Sequence, residues 1–215
     1  MTKQSNILDN VSAVINALPK GEERLIVAVA GPPAVGKSTL AECLVETLNQ
    51  DGLETAAILP MDGFHLDNAV LEENGTLERK GSPNTFDFDG FQSILIRIED
   101  QTKDHFIPTF DRSRDIAVAG SAVVRKGTRI VIVEGNYLLL DGEPWSGLSS
   151  CFDHRVFVEA PLIELRSRLI QRWLDYGYDE EAATSKAEFN DIPNAQLVLE
   201  SRGEADQTLR QSNNK

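Results

Sequence analysis

Gly31, Pro32, Pro33, Ala34, Val35, Gly36, Lys37, Ser38 and Thr39 follow one another in this chain. Gly31, Gly36, Lys37 and Ser38 fit the spacing G-x-x-x-x-G-K-[ST] of a phosphate-binding loop. Each residue type has a task there. The glycines permit backbone angles closed to other residues. The loop, with Pro32, Ala34 and Val35 at its bend, can then turn amide N–H groups inward around a phosphate. Lys37 adds a point charge for the β- and γ-phosphates, Ser38 a hydroxyl for Mg²⁺, and Thr39 leads into the following helix.

Two carboxylates are placed to join that chemistry. Asp62 precedes Gly63 after an apolar strand and suits a general base that takes the proton of a substrate hydroxyl. Read locally, Asp62 and Gly63 also make a turn. Glu134 ends the apolar run Ile130 to Val133. A charge there is expensive unless it faces a partner, and Mg²⁺ supplies one. The alternative is a cap on the next helix. Arg166, Arg168 and Arg172 lie on one helical stretch, with Arg168 and Arg172 four apart on a shared face. They could neutralise the charge of a transferring phosphoryl group from a lid, or they could form a solvated basic face. His65 could orient a substrate or assist Asp62. In the segment from Arg79 to Asp87, which combines charge with polar hydrogen-bonding groups, Arg79 could contact a substrate, and Asp87 could accept two hydroxyls or cap the helix ahead of Phe91. Phe110 could add an aromatic wall, Asp111 and Arg112 a polar clamp, and Arg114 could serve likewise.

Positioning these groups requires alternating strands and helices. Spacing predicts an N-terminal helix over 5–18, a strand over 24–30, the phosphate loop, a helix from Ser38 to Gln50, and a strand over Glu54 to Leu59. Residues 73–89 read as a long loop, followed by a helix marked by Phe91, Ile94, Leu95 and Ile98. Phe106 to Phe110 reads as extended. Ala122 to Val124 and Arg129 to Val133 read as strand, turn, strand, and Arg155 to Glu159 as another strand. Helices over 162–176 and 179–190 form a lid-like pair within 161–190. Ala195 to Leu199 reads as a last strand, and the last dozen residues, a polar tail, are expected to fray. Strands alternating with helices predict an α/β fold of three layers with a mainly parallel sheet and a helical lid. Ligands of such sheets sit beyond the C-terminal strand ends.

The 215 residues fit a single domain over 1–215. The net charge of −13 argues against nucleic acid and against an anionic membrane surface as partners. Cys43 and Cys151, the two cysteines, make no disulfide framework. No signal-like or membrane-length apolar run is present, so a cytoplasmic location is the expectation.

Taken together, the phosphate loop, Asp62, the Arg79-Lys80-Gly81 segment with Pro83, Phe86 and Asp87, the stretch Pro108 to Asp111, and Val133-Glu134-Gly135 resemble the phosphoribulokinase, uridine kinase and bacterial pantothenate kinase family of P-loop kinases. The segments MDGFHLDN, RKGSPNTFD, VEGNYLLLD and NDIPNAQLV are most similar to a bacterial subgroup labelled fructose-transport-system kinase-like. The resemblance spans roughly residues 24–200. It implies a P-loop NTPase fold and a kinase that uses ATP and Mg²⁺ on a small hydroxylated metabolite, with a sugar as the acceptor that the subgroup label suggests. It implies a base at Asp62, metal contacts at Ser38 and Glu134, substrate contact at Asp87, and lid arginines at Arg168 and Arg172. A homodimer is the arrangement of many relatives. Where uridine kinases carry Tyr, this chain has His65, and it lacks their loop sequence after Pro108. A nucleotide-dependent switch is the competing reading, although the Asn-Lys-x-Asp guanine motif is absent. Nucleosides and pantothenate are alternative acceptors.

Overall fold

The computed structural model describes residues 3–50, 52 and 55–211. A helix α1 (Lys3–Ala17) leads into strand β1 (Leu25–Ala30). Then come α2 (Lys37–Leu48), β2 (Ala56–Pro60), α3 (Asn68–Glu73) and α4 (Phe88–Arg97). Strands β3 (His105–Asp111) and β4 (Ile116–Val124) precede β5 (Ile130–Gly135) and β6 (His154–Glu159). The chain closes with α5 (Leu162–Asp175), α6 (Glu180–Lys186), α7 (Ile192–Glu200) and β7 (Gln207–Arg210).

The main sheet has the order β2-β5-β1-β6-β7, and every pairing in it is parallel. Parallel strands must be covered on both faces, and the alternation along β1 shows how this is done. Ile26, Ala28 and Ala30 pack on one side with Phe91, Leu95, Tyr137 and Trp145. Leu25, Val27 and Val29 pack on the other with Val11 and Val14 of α1, Leu40 and Leu44 of α2, and Leu165 and Leu169 of α5. The result is the expected three-layer α/β architecture with a parallel sheet.

Several local expectations are corrected. The stretch 195–199 is helical, within α7; its short apolar run suits either element, and packing of Ala195 and Val198 on opposite faces of the core decides for helix. The last strand is β7, whose polar sequence Gln-Thr-Leu-Arg gives little pattern, and it occupies part of the tail expected to fray. Residues 73–89 are not an open loop, since they hold two 3₁₀ turns, Leu77–Arg79 and Pro83–Thr85, and the start of α4. Strand β4 joins β3 in a separate antiparallel hairpin rather than pairing with β5. Beyond α6 the helix continues through a π-turn, Ala187–Asp191, straight into α7. The expected strand start at residue 54 and the tail beyond residue 211 lie outside the described residues.

Candidate functional site

The three chemically suggestive strand ends are neighbours. β1 lies beside β5, and β5 beside β2, with Val29 and Pro60 both opposite Glu134. The phosphate loop, Glu134 and Asp62 therefore share one edge of the sheet. They line a single cavity of about 1150 Å³.

Loop geometry follows from its glycines. Gly36 caps α2 in the left-handed region at φ 100°. A Cβ at Gly31 would lie 2.3 Å from the Val158 carbonyl oxygen, so the loop can pass β6 only without a side chain. Ala34 holds φ 62° without being glycine, a local strain of a kind that clusters at ligand sites. Lys37 is buried, and its Nζ donates to the Pro32 carbonyl at 3.0 Å and to Asn136 Oδ1 at 2.8 Å. Burial pushes this ammonium below the usual lysine range, while Glu134 and Asp62 oppose the shift. Glu134 is 8% exposed. Its carboxyl is held above the usual range by burial, against the pull of Lys37 and the Ser38 hydroxyl.

Asp62 sits in a 3₁₀ turn, Met61–Phe64, directly after β2. Arg112, from the end of the β3–β4 hairpin, donates to its Oδ2 at 2.8 Å. The hairpin approaches closely because of Gly63: a Cβ there would lie 2.4 Å from the Pro108 carbonyl oxygen. His65 is sandwiched between Phe86 and Phe110, with ring centroids 4.1 and 4.6 Å away. Its Nδ1 lies 2.8 Å from the Asp62 carbonyl oxygen. A carbonyl only accepts, so Nδ1 carries the proton. Burial lowers the pKa of the ring, which leaves Nε2 as an acceptor in the neutral form.

The remaining expected residues are placed unevenly. Phe110 lines the cavity. Asp87 caps α4, its Oδ1 accepting from Gly90 N at 2.9 Å, as the capping alternative has it. Arg114 pairs with Asp111 at 2.6 Å and is outside the cavity lining. Arg79 Nη1 donates to the Phe189 carbonyl at 2.7 Å, and its neighbour Lys80 faces the cavity instead. Lys80 is fully engaged, with Asn68 Oδ1 and Asp115 at 2.7 and 2.9 Å. Arg168 reaches the phosphate loop through the Ala34 carbonyl at 3.4 Å and pairs with Glu164. Arg172 lines the cavity, its Nη2 3.0 Å from Asp191 Oδ1. Helix α5 is anchored in the core by Leu165 and Leu169, so the arginines stand on a fixed base.

Asn136, Asp191 and the pairing of Arg112 with Asp62 escape a reading by motif. The one signal for Asn136 is its position two residues after Glu134, at the end of the most apolar strand. Asp191 offers no signal, because a π-turn has no sequence spacing of its own.

Hard oxygen donors at Ser38 and Glu134 fit Mg²⁺. That ion keeps several waters and uses one or two protein oxygens together with substrate phosphates. Among the described residues no group of three metal-ligating side chains forms a closed cage, as such an ion requires none. Among them, too, no helix is long and apolar enough to cross a membrane.

This arrangement defines a P-loop kinase. The model of the Phosphoribulokinase / Uridine kinase family matches residues 26–206, and the chain belongs to that family. A crystal structure from Silicibacter sp. TM1040, named a "putative fructose transport system kinase", is 43% identical, with TM-score 0.87, over 97% of this chain and 98% of that one. "Putative uridine kinase C227.14" of Schizosaccharomyces pombe is 34% identical over 90% of this chain and 86% of its own length. The pantothenate kinase of Nocardioides sp. is 34% identical over 69% of this chain, which spans 47% of that protein.

Proposed function

We propose that this chain transfers the γ-phosphoryl group of ATP to a hydroxyl of a small metabolite, a sugar or sugar-containing compound. The observation that carries the reading is the shared cavity, lined both by the phosphate loop and by Asp62 together with His65, Phe86 and Phe110. Switch proteins and simple hydrolases need no walled acceptor space beside a base.

The residues divide the work. The loop amides and Lys37 hold the phosphates, with Asn136 and the Pro32 carbonyl fixing the ammonium. Ser38 and Glu134 would hold Mg²⁺, which supplies charge neutralisation at the phosphate oxygens. Asp62 accepts the proton of the attacking hydroxyl at Oδ1, since Arg112 engages Oδ2. His65 Nε2 accepts from a second hydroxyl of the acceptor, which favours a polyol over a simple alcohol. Arg172 faces the developing negative charge from the cavity wall, while Arg168, which does not line the cavity, braces the phosphate loop through the Ala34 carbonyl. Hydroxyl-reading groups beside aromatic side chains in the cavity lining suit a sugar, and the name of the Silicibacter relative agrees with that choice. Nucleosides and pantothenate are the competing acceptors.

The test is ADP release across a panel of sugars, nucleosides, pantothenate and hydroxy acids, with product mass confirming phosphorylation. Stoichiometric ADP and phosphosugar support the reading. ADP formation indifferent to every acceptor counts against it.

A further inference from the structure

Three consecutive residues at the end of the lid serve two different parts of the site. The Phe189 carbonyl accepts from Arg79 Nη1 at 2.7 Å, and the Arg79 guanidinium lies 5.4 Å from the Phe189 ring centroid. Asn190 Nδ2 donates to the Lys80 carbonyl at 2.7 Å. Both contacts grip the 79–81 segment on the acceptor side. The next residue, Asp191, turns inward and is 8% exposed. Its Oδ2 accepts from Trp173 Nε1 at 2.6 Å, and its Oδ1 lies 3.0 Å from Arg172 Nη2. A buried carboxylate needs such partners.

All three residues belong to the π-turn Ala187–Asp191, an irregularity that widens a helix by one residue and often marks a functional position. Arg172 is held from one edge. Its Nε is buried and has no partner among the described residues. A donor in that condition is costly unless a ligand completes it. The guanidinium lines the cavity and opposes the charge of Lys37. Among the described residues its one side-chain anchor is therefore Asp191, next in sequence to the residue that grips the 79–81 segment.

We propose that Asp191 is a positioning residue for Arg172, and that the turn 187–191 ties the orientation of this guanidinium to the docking of the 79–81 segment. The proposal rests on the reading of Arg172 as a group that faces the transferring phosphoryl. An acceptor that shifts residues 79–81 moves Asn190, and the neighbouring carboxylate carries the displacement to Arg172.

The test uses the full chain and needs no known acceptor. The Arg172 Nε–H signal, assigned by its loss in Arg172→Gln, is followed by NMR for exchange with solvent. Exchange is expected to be slow in the native protein. It should quicken at least about tenfold in Asp191→Asn, as local restraint is lost, and measurably in Asn190→Ala, which touches neither Arg172 nor phosphate. In parallel, hydrolysis of Mg·ATP by water should fall about 10- to 100-fold in Asp191→Asn, with ADP affinity within about twofold. The Arg172→Gln/Asp191→Asn double variant should be no slower than Arg172→Gln alone. Unchanged exchange in folded Asp191→Asn overturns the proposal, as does an effect on hydrolysis that multiplies fully with that of Arg172→Gln. Should Asp191→Asn fail to fold, Trp173→Phe takes its place: faster exchange supports the proposal and unchanged exchange overturns it. A native protein that binds ADP but phosphorylates no acceptor defeats the kinase reading, while the exchange measurement still decides the role of Asp191.

Discussion

Lys37 and His65 are both basic groups that burial pushes toward the neutral form, and they respond to it differently. Lys37 keeps its charge useful through Asn136 Oδ1 and the carboxylates nearby. Asn136→Ala removes that anchor and should weaken ADP binding about tenfold, the scale of one hydrogen bond to a charged group; calorimetry checks this. Among the described residues no carboxylate hydrogen-bonds to His65, and burial favours its neutral ring. Its folded pKa lies below the ordinary 6.5, so between these values the unfolded chain binds a proton that the folded chain refuses. The resulting stability is fully present above 6.5 and is lost as pH falls through the lowered value. Urea midpoints measured above and below 6.5 should show that loss, and His65→Gln should reduce it. At this scale the donor half of the site was legible because its residues are contiguous. Arg112 and Asn136 act through distant partners, 50 and 99 positions away, which no local pattern encodes.

Among the elements, the 3₁₀ turn after β2 and the β3–β4 hairpin depend on each other. Gly63 lets the Pro108 carbonyl come close, and this brings Arg112 onto Asp62. Gly63→Ala places a methyl group 2.4 Å from that oxygen. The expected cost is about 1–3 kcal/mol of stability, roughly 2–4 °C of Tm per kcal/mol in a chain of this size. Turnover should fall further than stability, because Asp62 shifts against the phosphate loop; thermal melts and ADP release on the same samples separate the two effects. Strands β1 and β5 were readable from their apolar runs, as expected of buried parallel strands. The 195–199 stretch reads as a strand and residues 207–210 as fraying tail, since a short apolar run does not choose its own period and a polar strand of four residues announces nothing. The hairpin was half visible. Its second strand reads in the sequence only as a strand that turns into the 129–133 run, because pairing partners are set by tertiary packing.

For the whole molecule, the order β2-β5-β1-β6-β7 brings the phosphate loop, Glu134 and Asp62 to one edge, and α5 carries Arg168 and Arg172 across it. Membership of the phosphoribulokinase and uridine kinase family agrees with that layout. On the proposed reading acceptor choice would depend on the hairpin, the 79–81 segment and the π-turn, which lie outside the main sheet and meet only in three dimensions. The direct test compares native protein with Asp62→Asn, following ADP release and phosphorylated product in the presence of the best acceptor, and ADP affinity alongside. Loss of the base should lower turnover about 10²- to 10⁴-fold while ADP affinity stays within about twofold. Turnover near the native rate in a folded, ADP-binding Asp62→Asn protein would contradict the assignment of Asp62 as the base, and with it the two-ended site.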